Sequence, residues 1–286
     1  MPTAPIDGIV THYEVVGSGP PLLMFSPGGF NARLDNWSEQ GSYREIRPVE
    51  HLSRHYTCIT FDRRESGSSG GRVERITWAH YVAQARGLLD HLGFEQVHLM
   101  GGCQGCSVAA AFGVAHPDVT LSLVLYWPAG GPKYRIAQHA RFAGHLAYVQ
   151  QEGLEGVVAL ARDSDQHFGR DPRVGPWASV LRRDESFDEA YALQDPGAYQ
   201  VLVSGMARIL LDRDTVPGAE PEDLMRLEVP ALVIPGHDDS HATSAARYLE
   251  ECLPAADYWN VSVSDQTEQA VASRILTFLE SASSPP

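Results

Sequence analysis

The chain has 286 residues, 43% of them apolar and 20% charged, which excludes a disordered or fibrous protein and is enough to bury a substantial core. Its 22 Lys and Arg stand against 36 Asp and Glu, a formal net charge of -14. That balance repels phosphate backbones and anionic lipid, so neither nucleic acid nor membrane is an expected partner.

The length points to one large domain or to a core carrying an insertion. The chain opens without a cationic stretch leading into an apolar run, and no segment approaches the roughly 18 apolar residues of a membrane span. A soluble, cytoplasmic protein is the expectation. Four cysteines, Cys58, Cys103, Cys106 and Cys252, are too few for a disulfide framework in a chain of this size.

In chain order, Val10 to Val16, the turn Gly17-Ser18-Gly19-Pro20 and Pro21 to Phe25 read as a hairpin leading into a strand. His55 to Phe61 is a second apolar run, ending at Asp62-Arg63-Arg64-Glu65-Ser66-Gly67. Thr77 to Leu92 has helical spacing, with Trp78, Tyr81, Val82, Ala85, Leu88, Leu89 and Leu92 on one face. Val97 to Met100 is a short strand, Gly101 to Gly105 a tight turn and Cys106 to His116 an Ala-rich helix closed by Pro117.

After a strand at Leu121 to Tyr126 the alternation stops, and residues 133–228 show mainly helical patterning, as at Ile136 to Val149, and no convincing strand. It resumes with a strand at Val229 to Pro235, a helix from Thr243 to Leu253, a strand near Asp257 to Val261, a helix from about Glu268 to Leu279 and a loose Ser/Pro tail. The expected fold class is α/β, a mostly parallel sheet flanked by helices, with residues 1–132 and 229–286 as the core and 133–228 as a helical lid insertion.

The segment Val97-His98-Leu99-Met100-Gly101-Gly102-Cys103-Gln104-Gly105-Cys106 sets a reactive side chain between glycines at a strand-to-helix turn. That is the pattern of a nucleophile elbow with Cys103 in the nucleophile position, where the N-terminus of the next helix favours a thiolate. Asp62-Arg63-Arg64-Glu65-Ser66-Gly67-Ser68-Ser69 is similar to an Asp-x-Arg-Gly-x-Gly-x-Ser loop, with Glu65 in place of one glycine. Leu22-Leu23-Met24-Phe25-Ser26-Pro27-Gly28-Gly29-Phe30 is similar to a strand followed by a His-Gly oxyanion turn, with Ser26-Pro27 replacing His-Gly. On these motifs the chain resembles the α/β-hydrolase fold superfamily over nearly its whole length.

The resemblance implies an oxyanion hole made by the N–H of Gln104 and one from Gly28, Gly29 or Phe30. It also places an acid in the loop Pro235-Gly236-His237-Asp238-Asp239, at Asp239, with Asp238 the near alternative. The family's histidine follows the last strand, yet none occurs after His241. Three resolutions are open. His241 acts as the base, oriented by Asp265, Asp238 or Asp239, with His237 able to do the same. A helix-dipole thiolate works with a carboxylate and no histidine. Or the fold has lost its chemistry.

Cys103 and Cys106 also form a Cys-x-x-Cys at a helix start, which leaves a thiol/disulfide switch as an alternative, while a zinc site lacks a second ligand pair. The expected function is a hydrolase or acyl transferase acting on an ester, lactone, thioester or activated carbonyl of a small, largely apolar substrate. Catalysis would use Cys103, His241 and Asp239, with Trp127 in the substrate pocket and no metal or organic cofactor. A small-molecule substrate is the expected partner, a homodimer the one assembly left open, and a degenerate, ligand-binding member of the fold the competing class.

Overall fold

The computed structural model describes residues 2–283, which excludes the last residues of the expected Ser/Pro tail. Eight strands form one sheet in the order β1-β2-β4-β3-β5-β6-β7-β8. They are β1 Thr3–Ile6, β2 Ile9–Val16, β3 Pro21–Phe25, β4 Thr57–Phe61, β5 Val97–Gly102, β6 Thr120–Tyr126, β7 Ala231–Ile234 and β8 Ala256–Tyr258. β1 and β2 are antiparallel to their neighbours, and every pairing from β4 to β8 is parallel.

Between β3 and β4 run three short helices, α1 Asn36–Glu39, α2 Gly41–Ile46 and α3 Pro48–Leu52, and α4 Trp78–Leu92 follows β4. α5 Gly105–Ala115 joins β5 to β6. Between β6 and β7 lie α6 Pro132–Asp163, α7 Ala178–Leu181, α8 Glu185–Ala192, α9 Pro196–Leu210 and α10 Pro221–Leu224, with no strand among the described residues there. α11 Thr243–Cys252 joins β7 to β8, and α12 Glu268–Ser283 closes the chain. No helix among the described residues is long and apolar enough to cross a membrane.

The central strands read as unbroken apolar runs because helices cover both faces of the sheet. Alternate residues part to the two sides. Leu23, Phe25 and Leu99 pack with Leu88 and Phe112 of α4 and α5, whereas Leu22, Met24 and Met100 pack with Val271 and Ile275 of α12. α4 starts where the spacing predicts, because Thr77 and His80 cap each other's backbone groups, and it stops at Gly93 in the left-handed region, φ 77°.

The expected hairpin between Val10–Val16 and Pro21–Phe25 does not form. Tyr13 to Val16 pair antiparallel with Phe61 to Cys58, so β4 lies between β2 and β3. The carbonyls of the linking segment are claimed by Thr57 at the start of β4, whose backbone N–H donates to Pro20 (3.0 Å) and whose hydroxyl donates to Gly19 (2.9 Å). β1 and α1–α3 carry too little periodicity to be read from sequence.

Candidate active site

β5 enters α5 through a sharp turn at Cys103, which has φ 54°, a left-handed conformation that L-residues seldom adopt. The turn closes only because its flanks are glycine: a Cβ on Gly105 would lie 2.1 Å from the Phe25 carbonyl oxygen, and one on Gly101 2.5 Å from that of Gly105. Cys103 N–H donates to Tyr126 O (3.2 Å), and its own carbonyl accepts from Ala129 N–H (3.2 Å). The thiol is thereby presented, partly exposed, at the carboxyl edge of the sheet, where open α/β sheets place their ligands.

His241 comes to Cys103 from the loop between β7 and α11. Asp238 organises that loop by accepting the backbone N–H groups of Ser240 (2.8 Å) and His241 (2.9 Å). Its carboxylate also takes His241 Nδ1, at 2.9 Å to each oxygen. Gly130 N–H donates to Ser240 O (3.0 Å), tying the loop to the chain leaving β6. The Trp127 ring lies 5.5 Å from the imidazole and limits its rotation.

With Nδ1 engaged by Asp238, His241 Nε2 is buried without a hydrogen-bond partner, and the nearby Cys103 thiol is the strongest influence raising the imidazole pKa. Burial would lower the imidazole pKa, but hydrogen bonding to Cys103 and the sulfur's charge, then Asp238, carry it to about 9. Burial likewise opposes ionisation of Cys103, yet His241 and the main-chain groups of Gln104 and Gly28 hold the thiol below its ordinary value. The two shifts favour a thiolate beside an imidazolium.

Gly28 and Gly29 adopt φ 119° and 57° after β3. A Cβ on Gly28 would lie 2.6 Å from both the Asn31 carbonyl oxygen and the Asn36 amide nitrogen, so the turn can pass close to Cys103 only with glycine there. The structure thus brings Gln104 and Gly28 to the sulfur, with Gly29 alongside. Phe30 turns its ring into an aromatic cluster, 5.8 Å from Phe142 and 5.4 Å from Phe168.

Other sequence candidates lie elsewhere. Asp239, expected as the acid, is exposed and pairs with Lys133 (2.7 Å), the single lysine of the chain. The tight Asx-type turn needs Asp238 inward, which sends its neighbour outward. His237 Nδ1 meets Thr243 Oγ1 (3.2 Å), and Asp265 accepts from Ser262 (2.6 Å), so neither reaches Cys103. Cys106 is buried and its thiol donates to the carbonyls of Gly101 (3.1 Å) and Tyr126 (3.4 Å). Burial, followed by Cys103, pushes its pKa well up. All four cysteines are free, and no cluster of three or more potential metal ligands occurs among the described residues.

Three residues at the site escape sequence reasoning. Gln266, from the region after the last strand, accepts from Trp127 Nε1 (2.7 Å) and donates to Pro235 O (2.8 Å), bracing the ring beside His241. Tyr134, on the first turn of α6, is buried, which pushes its pKa well up, and the nearby charge of Cys103 adds to that rise. Arg63 donates to the Gly29 carbonyl and to Gln104 Oε1. Nothing in the sequence marks Arg63, because its neighbour Arg64 occupies the motif's arginine position.

A family model described as "alpha/beta hydrolase fold" matches residues 21–154. Among solved structures, the enol-lactonase from Burkholderia xenovorans LB400 superposes with a TM-score of 0.62 at 21% identity, covering 98% of this chain and 100% of that one. A thermophilic esterase from Thermogutta terrifontis superposes with a TM-score of 0.62 at 20% identity, covering 96% and 95%. The chain has the α/β-hydrolase fold.

Sequence relatives of this α/β-hydrolase-fold protein include a 2-hydroxy-6-oxo-6-(2'-aminophenyl)hexa-2,4-dienoic acid hydrolase of Metapseudomonas resinovorans, 23% identical over 81% of this chain and 72% of that one. A fluoroacetate dehalogenase of Burkholderia sp is 34% identical over 42% of this chain and 38% of its own. The dihydrolipoyllysine-residue acetyltransferase component of the acetoin cleaving system of Cupriavidus necator is 31% identical over 44% of this chain. The chain spans only 32% of that last protein's length.

Proposed function

We propose that the protein is a hydrolase or acyl transferase that works through a Cys103 acyl-enzyme, with His241 as its proton carrier and Asp238 as the residue that orients His241. The observation carrying this reading is the arrangement Asp238–His241–Cys103, in which one imidazole nitrogen is spent on a carboxylate while the other is buried and unpartnered, close enough to Cys103 for the two groups to shift each other's pKa. The acid role expected for Asp239 passes to Asp238. The base expected after the last strand is replaced by one from the loop that carries the acid.

The steps follow from these positions. Cys103 thiolate adds to the carbonyl carbon of an ester, lactone or thioester, and the carbonyl electron pair moves to oxygen, where the N–H groups of Gln104 and the Gly28–Gly29 turn receive it. As the intermediate collapses, the carbon–leaving-group bond breaks and the imidazolium of His241 gives its proton to the leaving group. Water or another acceptor then attacks the acyl-enzyme, gives its proton to His241 and releases Cys103. Asp238 keeps the imidazole in the tautomer with Nε2 facing sulfur and stabilises its charged form. Helices α6–α10 would act as a lid, and the Phe30, Phe142 and Phe168 cluster favours an apolar acyl or leaving group.

Chromogenic esters, thioesters and lactones assayed with Cys103→Ala and His241→Ala test the reading. Loss of turnover in both variants, with a normal melting curve, is expected; undiminished turnover in Cys103→Ala would overturn it.

A further inference from the structure

The two halves of the oxyanion turn come from distant parts of the chain, Gly28–Gly29 after β3 and Gln104 after β5, and one guanidinium spans them. Arg63 Nη2 donates to the Gly29 carbonyl and, at 3.1 Å, to Gln104 Oε1. The side chain is only 4% exposed, and its carbon lies 4.2 Å from the centre of the Tyr81 ring, which fixes the plane of the fork. We propose that Arg63 is the clamp of the oxyanion turn, a positioning residue that holds the Gly28–Gly29 peptides and Gln104 at one spacing and sets a positive charge without an ion-pair partner beside the developing oxyanion.

Charge pairing supports this. The adjacent Arg64 is neutralised by Glu65 (3.0 Å) and by Glu74. Among the described residues no carboxylate lies within ion-pair distance of Arg63, the buried Glu65 acting on it only at longer range, and its Nε and Nη1 are buried without a hydrogen-bond acceptor. A buried cation left unpaired is strongly destabilising, so a purely structural strut would be served better by a neutral side chain. The cost is offset when negative charge arises next to the cation, which in this site happens as a carbonyl oxygen becomes an oxyanion. The leading influences that lower the Cys103 thiol are His241, Gln104 and Gly28. Arg63 itself contacts the turn rather than the sulfur.

This inference rests on the acyl-enzyme reading above, and two reactions of the same sulfur separate them. Iodoacetamide alkylation needs the thiolate but forms no oxyanion, whereas acetylation by p-nitrophenyl acetate needs both. Each is followed on Cys103 by intact-protein mass spectrometry in wild type, Arg63→Met and Arg63→Lys, with melting curves as a check on folding. The clamp predicts that Arg63→Met is acetylated about 10²-fold more slowly, the usual loss for an oxyanion donor. It predicts alkylation within about 3-fold of wild type with an unchanged pH profile, and partial recovery of acetylation in Arg63→Lys. Equal losses in the two reactions, or no loss in either, would overturn the clamp. Failure of wild-type Cys103 to be acetylated while it is still alkylated would overturn the acyl-enzyme reading, and the clamp with it. If Arg63→Met does not fold, the Arg63→Lys comparison alone decides, since displacing the fork must slow acetylation selectively.

Discussion

At the residue scale, adjacent aspartates carry opposite assignments. Asp238 holds two backbone N–H groups and the His241 imidazole, while Asp239 is exposed beside Lys133. Asp238→Asn should therefore lower kcat by about 10² or more, since an amide neither orients nor stabilises the charged imidazole; Asp239→Asn should leave kcat within about 2-fold. A steady-state comparison of the two variants decides between the carboxylates. The sequence named Asp239 with Asp238 as its near alternative, and the order between them depends on which carboxylate the loop's turn directs inward. His241 was legible only by elimination, as the last histidine in the chain.

The same residues fix the pH response. Folding raises His241 from 6.5 to about 9 and lowers Cys103, so alkylation of Cys103 should remain fast below the ordinary thiol pKa of about 8.5. In His241→Ala the profile should move up toward that of a free thiol or above, because burial is then opposed only by the main-chain groups of Gln104 and Gly28. If His241 protonates the leaving group as proposed, turnover should fall as pH rises through about 9, where its imidazolium is lost.

At the element scale, the strand–turn–helix junction was readable because its glycines mark it, and the structure gives the steric reason. Gly105→Ala would drive a methyl to 2.1 Å from the Phe25 carbonyl oxygen, so β3 and α5 must separate. A loss of about 2–4 kcal/mol in urea unfolding, in the range of severe packing clashes, with still larger loss of activity, is expected. Glu65, which stands where the motif has glycine, adopts φ 65° and is fully buried. Burial, only partly offset by Arg64, raises its pKa to about 7. Glu65→Gly would relieve about 1 kcal/mol of backbone strain but strip Arg64 of a buried partner. A net destabilisation of about 1–3 kcal/mol follows from breaking such a pair, and chemical denaturation would measure it. The hairpin expected at β2–β3 failed for a different reason: sequence adjacency suggested pairing, whereas the parallel sheet inserts β4 between them.

At the scale of the whole molecule, the alternation of apolar runs and helical spacing was enough to predict an α/β sheet, because buried parallel strands and amphipathic helices have different periods. The contacts that complete the site were not legible. His241, Trp127 and Gln266 meet from three separate loops, and Arg63 bridges two more, relations that no local period records. The coupling of site to fold also sets a pH-dependent stability. Because folding raises His241, protonated imidazole stabilises the native state fully below its ordinary value of 6.5, and this contribution is lost as pH rises through about 9. Because folding lowers Asp238, its contribution is complete above the ordinary carboxylate range and is lost in acid. The Tm difference between wild type and Asp238→Asn should thus be steady from about pH 5 to 6.5 and shrink both above about 9 and in strong acid.

The central claim, that Cys103 carries the acyl group, is tested most directly by acid-quenching the protein during reaction with p-nitrophenyl acetate and mapping the adduct by peptide mass spectrometry. A single acetyl group on Cys103, lost on longer incubation and absent from Cys103→Ala, is the predicted result. Acetyl groups on other residues, or p-nitrophenol release by Cys103→Ala at the wild-type rate, would contradict it.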